Sequence, residues 1–262
     1  MTQEISIFDS AIRYNDRRIM DHLATGLERG GIRVKRNESC RNIAVWGWPR
    51  GQMHRKYGGN VLVLERAYLG DRLKDWLSLG WNGLNGRADF CVPKNPTLER
   101  FQKHFTLKPW KTGGDKIIIM GQIYRDASLN GKDLTSWYEQ IVRDLEKAHG
   151  LPVFFRDHPH VSATRRNFNP RIARFKGTLE DALAQAACVV TYNSNTAVDA
   201  VVNGVPAMSF DEGSMAYAVT SHDATKIIRP DRDAWAARLA WCQMTPAELA
   251  SGDWVERFFA GR

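Results

Sequence analysis

In the second half of the chain, three short apolar runs each end in polar residues. They are KIIIMGQIYRDAS (Lys116 to Ser128), PVFFRDHPH (Pro152 to His160) and CVVTYNSNTAVDAVVNGVP (Cys188 to Pro206). Their length and their β-branched or aromatic content predict buried parallel strands at 116–120, 152–156 and 188–192, with a further strand at 205–210. Helical periodicity between them predicts a helix at about 133–148, with Asp133 or Thr135 as its cap and Gly150 after its end. It also predicts helices at 178–187 and at 195–203, the latter stopped by Gly204. Such strand–helix alternation implies right-handed crossovers and a parallel sheet.

The first half is less regular. Ile5 to Phe8 reads as a short strand, followed by a helical pattern from Arg13 to Glu28 that places Ile12, Ile19, Leu23 and Leu27 on one face. Gly30-Gly31 ends it. Strands are expected at Ile32 to Val34, Asn42 to Trp48 and Val61 to Leu64, so the opening half reads as a small α/β unit. Pro49 to Gly59 reads as a basic, glycine-bearing loop. Leu69 to Phe90 reads as a turn-rich loop in which Trp76 and Trp81 alternate with Asn-Gly pairs. Those tryptophans suit stacking on a sugar or base, or equally a plug for the core beneath. The prolines and closing Gly-Gly of 92–114 predict a connection, giving an acceptor-binding domain at 1–112 and a donor-binding domain at 113–262. The tail from Pro230 reads as two amphipathic helices parted at Thr245-Pro246 that pack back across one of the domains.

Composition changes this picture little: 43% hydrophobic and 25% charged residues are ordinary for a soluble globular chain. No run approaches the roughly 20 apolar residues of a membrane span. The N-terminus lacks a signal peptide's apolar core. Cys40, Cys91, Cys188 and Cys242 show no paired spacing, so neither a disulfide nor a zinc framework is expected, and a cytoplasmic location follows. Charge says more. Residues 1–112 hold 20 Lys+Arg against 11 Asp+Glu, whereas 113–262 hold 17 against 18. A basic first half fits a polyanionic partner, nucleic acid or acidic glycan, although a solvated basic surface has the same composition.

Ligands of open parallel sheets sit outside the carboxyl ends of the strands. That rule lines Gln122, Asp126, His158, Ser194 and Thr196 along one edge, read here as a nucleotide site. Asn193, Ser194 and Thr196 at a helix start can hold a phosphate, the alternative being a plain helix cap. His158, fixed by Pro159, can stand beside a phosphate as donor or cation. Gln122 and Asp126 can reach a ribose or sugar hydroxyl, or can form a local turn. His158 and His160 are not matched by acids at ligand spacing elsewhere, so no metal is expected. Asp231-Arg232-Asp233 reads as a helix start rather than a carboxylate pair for a divalent ion.

Taken in order, GQ…DAS, the strand ending in His158-Pro159 and the Ser194 turn with its downstream Gly204-Val205-Pro206 resemble the donor half of GT-B glycosyltransferases. The likeness is to the capsular-polysaccharide Kdo-transferase family, with the related HP and Ser motifs of bacterial sialyltransferases, and covers about residues 115–210. It implies two Rossmann-like domains whose parallel sheets face a cleft, with C-terminal helices packing back. It also implies a nucleotide-sugar co-substrate, UDP- or CMP-linked, with no other cofactor. By resemblance, His158, Ser194 and Thr196 hold the donor phosphate. Arg156-Asp157 stands where Lys-Pro is usual, and YNSNT has one Ser where a pair is common; both departures leave the donor nucleotide open. The stretches WGWPRGQMHRKYGG and LERAYLGDR…GWNGLNGRADF more weakly resemble phage proteins linked to glycosylation of modified DNA bases. That likeness implies duplex DNA as partner, a hydroxymethylated pyrimidine as acceptor and, for a phage protein, the host cytoplasm. A capsular or lipopolysaccharide glycan is the alternative acceptor, and a non-enzymatic basic DNA-binding protein the alternative class. The acceptor hydroxyl needs a base, for which Asp71, then Glu65 and Asp9, are candidates because each follows an apolar run. Arg50, Arg55, Lys56, Arg72 and Trp81 are the candidates for binding the acceptor.

Overall fold

The computed structural model describes residues 3–9, 14–56, 58–72, 74–159 and 172–261, with only the backbone described for 14–17. In chain order its strands are β1 (Glu4–Phe8), β2 (Arg33–Arg36), β3 (Asn42–Trp46), β4 (Asn60–Arg66), β5 (Leu77–Trp81), β6 (Lys116–Met120), β7 (Val153–Arg156), β8 (Ala173–Arg174), β9 (Ala186–Thr191), β10 (Ala207–Ser209) and β11 (Gln243–Met244). Two compact units emerge: Met1–Lys103 together with Ala236–Arg262, and His104–Trp235. The division therefore falls nearer 103 than the expected 112, and the C-terminal segment belongs with the first unit rather than the second.

The first unit is a six-stranded sheet in the order β11-β5-β4-β3-β1-β2. Strands β2, β1, β3 and β4 are mutually parallel, while β5 and β11 run antiparallel at one side. Both faces of β1, β3 and β4 are covered, which is why these strands read as apolar runs, whereas edge strand β2 is charged and partly exposed. Ile5, Ile7, Ala44, Trp46, Leu62 and Leu64 point into a core shared with Leu23 and Leu27 of helix Tyr14–Arg29 and with Leu249, Trp254 and Phe258 from the C-terminal segment. Ile43, Val45, Val61 and Val63 point the other way, under Trp48 of helix Trp48–Lys56.

Two expectations for this unit are corrected. Pro49 to Lys56 is not a loop but most of a helix; Pro49 lies in its first turn, where a missing N–H costs nothing. Gly51 lets that helix close on the sheet, because a Cβ there would meet Val61 Cγ1 at 2.4 Å. Leu69 to Phe90 is not all loop either. It contains β5, every residue of which is buried, and Trp76 and Trp81 belong to the core. The Asn-Gly pairs disguised this strand, since Asn82 and Asn85 take left-handed conformations immediately after it.

The second unit is an all-parallel five-stranded sheet, β10-β9-β6-β7-β8. One face packs on helix Thr135–His149 through Tyr138, Ile141 and Leu145. That helix ends at Gly150 with φ of +53°, a left-handed stop that suits glycine. Helix Leu179–Gln185 opens with a reciprocal Thr178–Asp181 capping box, and helix Thr196–Val202 follows β9. Asp231 accepts the backbone N–H of Asp233 at 2.8 Å, so this acidic pair starts helix Asp233–Trp241. The tail carries three short helices and β11 rather than two helices. No helix among the described residues is long and apolar enough to cross a membrane.

Candidate functional site

The second unit gathers most of the expected donor residues along the carboxyl ends of its strands. Gln122 follows β6, His158 follows β7, and Asn193, Ser194 and Thr196 follow β9. They do not share one role. Asn193 is 2% exposed, and its side chain is spent on the protein. Its Oδ1 accepts Gln122 Nε2 at 2.7 Å, and its backbone N–H donates to Gln122 Oε1 at 2.9 Å. Its Nδ2 donates to the Ser128 carbonyl and to Asp211 Oδ1, both at 2.9 Å. The Gln122 backbone N–H donates in turn to the Tyr138 hydroxyl at 2.9 Å, a phenol whose pKa burial pushes up.

Asp126 is also engaged. Its Oδ1 accepts the Ser128 backbone N–H at 2.9 Å and the Ser128 hydroxyl at 2.6 Å. That hydroxyl lies 3.2 Å from Asn193 Oδ1 as well, but its single proton goes to the nearer, charged oxygen. Gln122, Asp126 and Asn193, expected from the sequence as ligand contacts, are thus engaged in a hydrogen-bonded scaffold with Ser128. Asp211, from the loop after β10, completes it and also accepts the Gly213 N–H at 2.9 Å. Sequence reasoning missed Asp211; the signal available was an acidic residue directly after the short apolar run Val205 to Phe210.

Ser194 and Thr196 differ in kind. Both are half-buried, and Ser194 Oγ accepts the Thr196 N–H at 3.3 Å and the Thr196 hydroxyl at 3.0 Å. Both contacts use Ser194 as acceptor, so neither consumes its own O–H. His158 is half-buried beside Asp157, which pairs with Arg174 at 2.7 Å, and Arg174 stacks over Phe155 at 4.8 Å. That ion pair fixes the end of β7 from which His158 projects. His160 lies outside the described residues.

In the first unit, the three carboxylate candidates lie at the carboxyl ends of parallel strands, in different settings. Asp9, after β1, is 8% exposed and ion-paired to Arg36, while its Oδ1 accepts Asn37 Nδ2 at 3.0 Å. Arg36 also reaches Asp21 at 2.9 Å, so Asp9 anchors the ends of β1 and β2. Asp71 is exposed in the loop after β4, where its backbone carbonyl accepts the N–H groups of Asp75 and Trp76. Half-buried Arg72 follows it. Glu65 is half-buried near the end of β4. A Cβ placed on Gly47 would lie 3.4 Å from Arg50 Nη1 and 3.9 Å from Glu65 Oε2, so a guanidinium and a carboxylate flank this one glycine. Arg50 is held there by donating to the Trp46 carbonyl at 2.7 Å.

The remaining acceptor candidates separate. Helix Trp48–Lys56 runs back along the sheet, and His54 near its end lies 3.3 Å from the Arg41 carbonyl, just before β3 begins. Arg55 and Lys56 therefore sit at the opposite edge from Arg50, Glu65 and Asp71. Trp81 is fully buried; its indole N–H donates to the Phe258 carbonyl at 3.0 Å, and its ring meets Phe259 edge-on. It has no face to offer an acceptor, and its place among the candidates is corrected to the core.

Against solved structures, the chain is similar to Thermosulfurimonas dismutans KpsC, beta Kdo 2,7 transferase, at 14% identity and a TM-score of 0.61, over 95% of this chain and 97% of that one. It is similar to a second structure, Thermosulfurimonas dismutans KpsC, beta Kdo 2,4 transferase, at 15% identity and a TM-score of 0.62, over 95% and 98%. No protein-family model matches the sequence, and no curated protein does either. At these identities the likeness is one of fold: an α/β chain of two units with mostly parallel sheets, built like these two transferases along nearly its whole length.

Proposed function

We propose that this chain is a glycosyltransferase that moves a sugar from a nucleotide donor to an acceptor hydroxyl. The observation that carries the reading is the fold likeness to two Kdo transferases over 95% of the chain. In the reaction, an acceptor oxygen bonds to the anomeric carbon, the bond from that carbon to the phosphate oxygen breaks, and the nucleotide leaves with the electron pair. Donors aimed at the departing phosphate favour that step, because negative charge develops there. Ser194 and His158 supply such donors, while Thr196 gives its N–H and hydroxyl protons to Ser194 Oγ and braces it. The acceptor's proton goes to a carboxylate. Glu65, half-buried near the carboxyl end of β4, is the proposed base ahead of Asp71, which stands in solvent.

The donor class is an acid sugar of the Kdo type on a cytidine or uridine nucleotide, handled without a metal. The acceptor is acidic, because residues 1–103 carry 18 Lys+Arg against 11 Asp+Glu. An acidic glycan fits this charge and the fold likeness together. A hydroxymethylated pyrimidine in duplex DNA is the second reading, supported by the charge alone.

Turnover of CMP- and UDP-linked sugars, measured with chelator present, tests the reading. His158→Ala or Ser194→Ala is expected to lower it by roughly 10- to 100-fold, the worth of one hydrogen bond to a charged group. Wild-type turnover in both variants would refute the phosphate assignment. Salt-dependent retention on duplex DNA separates the acceptors, since phosphate contacts give a steep salt slope. No retention at low salt leaves the glycan.

A further inference from the structure

The loops after β6, β9 and β10 are tied by one buried amide. Asn193 has two lone pairs and two protons on its side chain, and both protons are committed, to the Ser128 carbonyl and Asp211 Oδ1 at 2.9 Å each. Its oxygen takes Gln122 Nε2 at 2.7 Å, and its backbone N–H is held by the other end of the same Gln122 side chain at 2.9 Å. The amide cannot turn over, because its oxygen would then face a carboxylate and a carbonyl. Asn193 is thus fixed at its backbone and at both side-chain atoms, and the next residue in the chain is Ser194.

We propose that Asn193 and Asp211 are positioning residues: they touch no donor atom, and they set the Ser194 turn in the geometry that receives the donor phosphate. This rests on the reading of Ser194 given above. A preorganised hydroxyl binds without first losing conformational freedom, so loosening the turn weakens binding although every ligand contact is still present. Asp211 contributes to the turn through Oδ1 as a hydrogen-bond acceptor. Its Oδ1 receives both Asn193 Nδ2 and the Gly213 N–H at 2.9 Å, and an asparagine oxygen could receive the same two donors.

The test is a double-mutant cycle on nucleotide affinity, titrating CMP and UDP calorimetrically into the full chain. Ser194→Ala is expected to weaken binding about tenfold, by loss of a charge-assisted hydrogen bond. Asn193→Ala and Asp211→Ala are each expected to weaken it by a similar factor of about ten in the wild-type background, and by less than about twofold when Ser194 is already alanine. Asp211→Asn should bind within about twofold of wild type, keeping both accepted hydrogen bonds. A merely structural role would lower the melting temperature in both backgrounds and show no coupling to Ser194. If Ser194→Ala weakens binding while Asn193→Ala and Asp211→Ala leave it unchanged, or weaken it equally in both backgrounds, the positioning role is overturned and the phosphate reading stands. If Ser194→Ala binds like wild type, or wild type binds neither nucleotide, the phosphate reading fails and this inference with it. Should Asn193→Ala not fold, the contrast between Asp211→Ala and Asp211→Asn decides alone.

Discussion

Replacing Gly204 by alanine tests whether the segment entering the second unit is held as firmly as its contacts indicate. Gly204 follows helix Thr196–Val202 with φ of +76°, and a Cβ there would lie 2.0 Å from the Pro109 carbonyl oxygen and 3.1 Å from that of Lys108. Relief requires residues 108–111 to retreat, and they are tied on both sides. The Lys108 N–H donates to the Val202 carbonyl at 3.0 Å and the Lys111 N–H to the Gly204 carbonyl at 2.7 Å. Arg232 reaches the Lys108 carbonyl at 2.7 Å while its guanidinium lies 3.8 Å over the Trp110 ring, and Arg229 holds the Lys111 carbonyl at 2.9 Å. Gly131 supplies the control, having φ of +81° and no atom within 4 Å of a built Cβ. Gly131→Ala should therefore cost only the left-handed conformation, about 1 kcal/mol after the gain from a stiffer unfolded chain. Gly204→Ala carries the same cost and also breaks two or more tethering hydrogen bonds at about 1 kcal/mol each, for a loss of about 3 kcal/mol or more. Urea denaturation followed by far-ultraviolet circular dichroism, compared at matched slopes, measures the difference. Equal midpoints for the two variants would refute the tethering argument.

Two further outcomes follow from titrating groups. Burial pushes the thiols of Cys188 and Cys242 up to about 12, whereas Cys40 and Cys91 are partly exposed. A thiol-specific chromogenic reagent at pH 8 should modify only Cys40 and Cys91 in the folded chain and all four in denaturant; rapid labelling of Cys188 or Cys242 in native protein would contradict their burial. Burial opposes ionisation of Glu248, but hydrogen bonds from Arg100 and the Thr245 N–H outweigh it and hold the carboxyl below 4.5. A depressed carboxylate stabilises fully above its unfolded pKa, so this contribution is lost as pH falls below about 4.5. Glu248→Gln should cost about 1 kcal/mol at pH 7, discounted because the side chain is partly exposed, and should flatten the acid limb of the melting curve. Parallel curves for variant and wild type between pH 3 and 7 would argue against this role.

The second unit was the more legible half. Its central strands β6 and β9 are buried on both sides and its helices lie between clear stops, so Ile117 to Met120, Val189 to Thr191 and Gly150 announced themselves. In the first unit, β5 was hidden because its apolar residues are framed by Asn-Gly pairs that read as turns, and its partner β11 arrives from more than 160 positions later. The helix beginning at Trp48 was hidden by Pro49 and Gly51, each of which has a place in it that only the packing against Val61 explains. At the candidate site, the sequence located the edge but not the division of labour along it. Gln122, Asp126 and Asn193 are residue types that serve a ligand or a loop equally well. Their mutual distances, and the arrival of Asp211 from another loop, appear only in the structure.

The first unit is assembled from both ends of the chain, and synthesis makes those ends at different times. Residues 104–235 are contiguous and can close their sheet as soon as they leave the ribosome. Residues 1–103 are completed only from a distant segment: Leu249, Trp254 and Phe258 fill their core, Gln243 and Met244 pair with β5, and the Phe258 carbonyl takes the Trp81 indole proton. Removing residues 251–262 therefore strikes the core of the unit that begins the sequence, because it takes away Trp254 and Phe258.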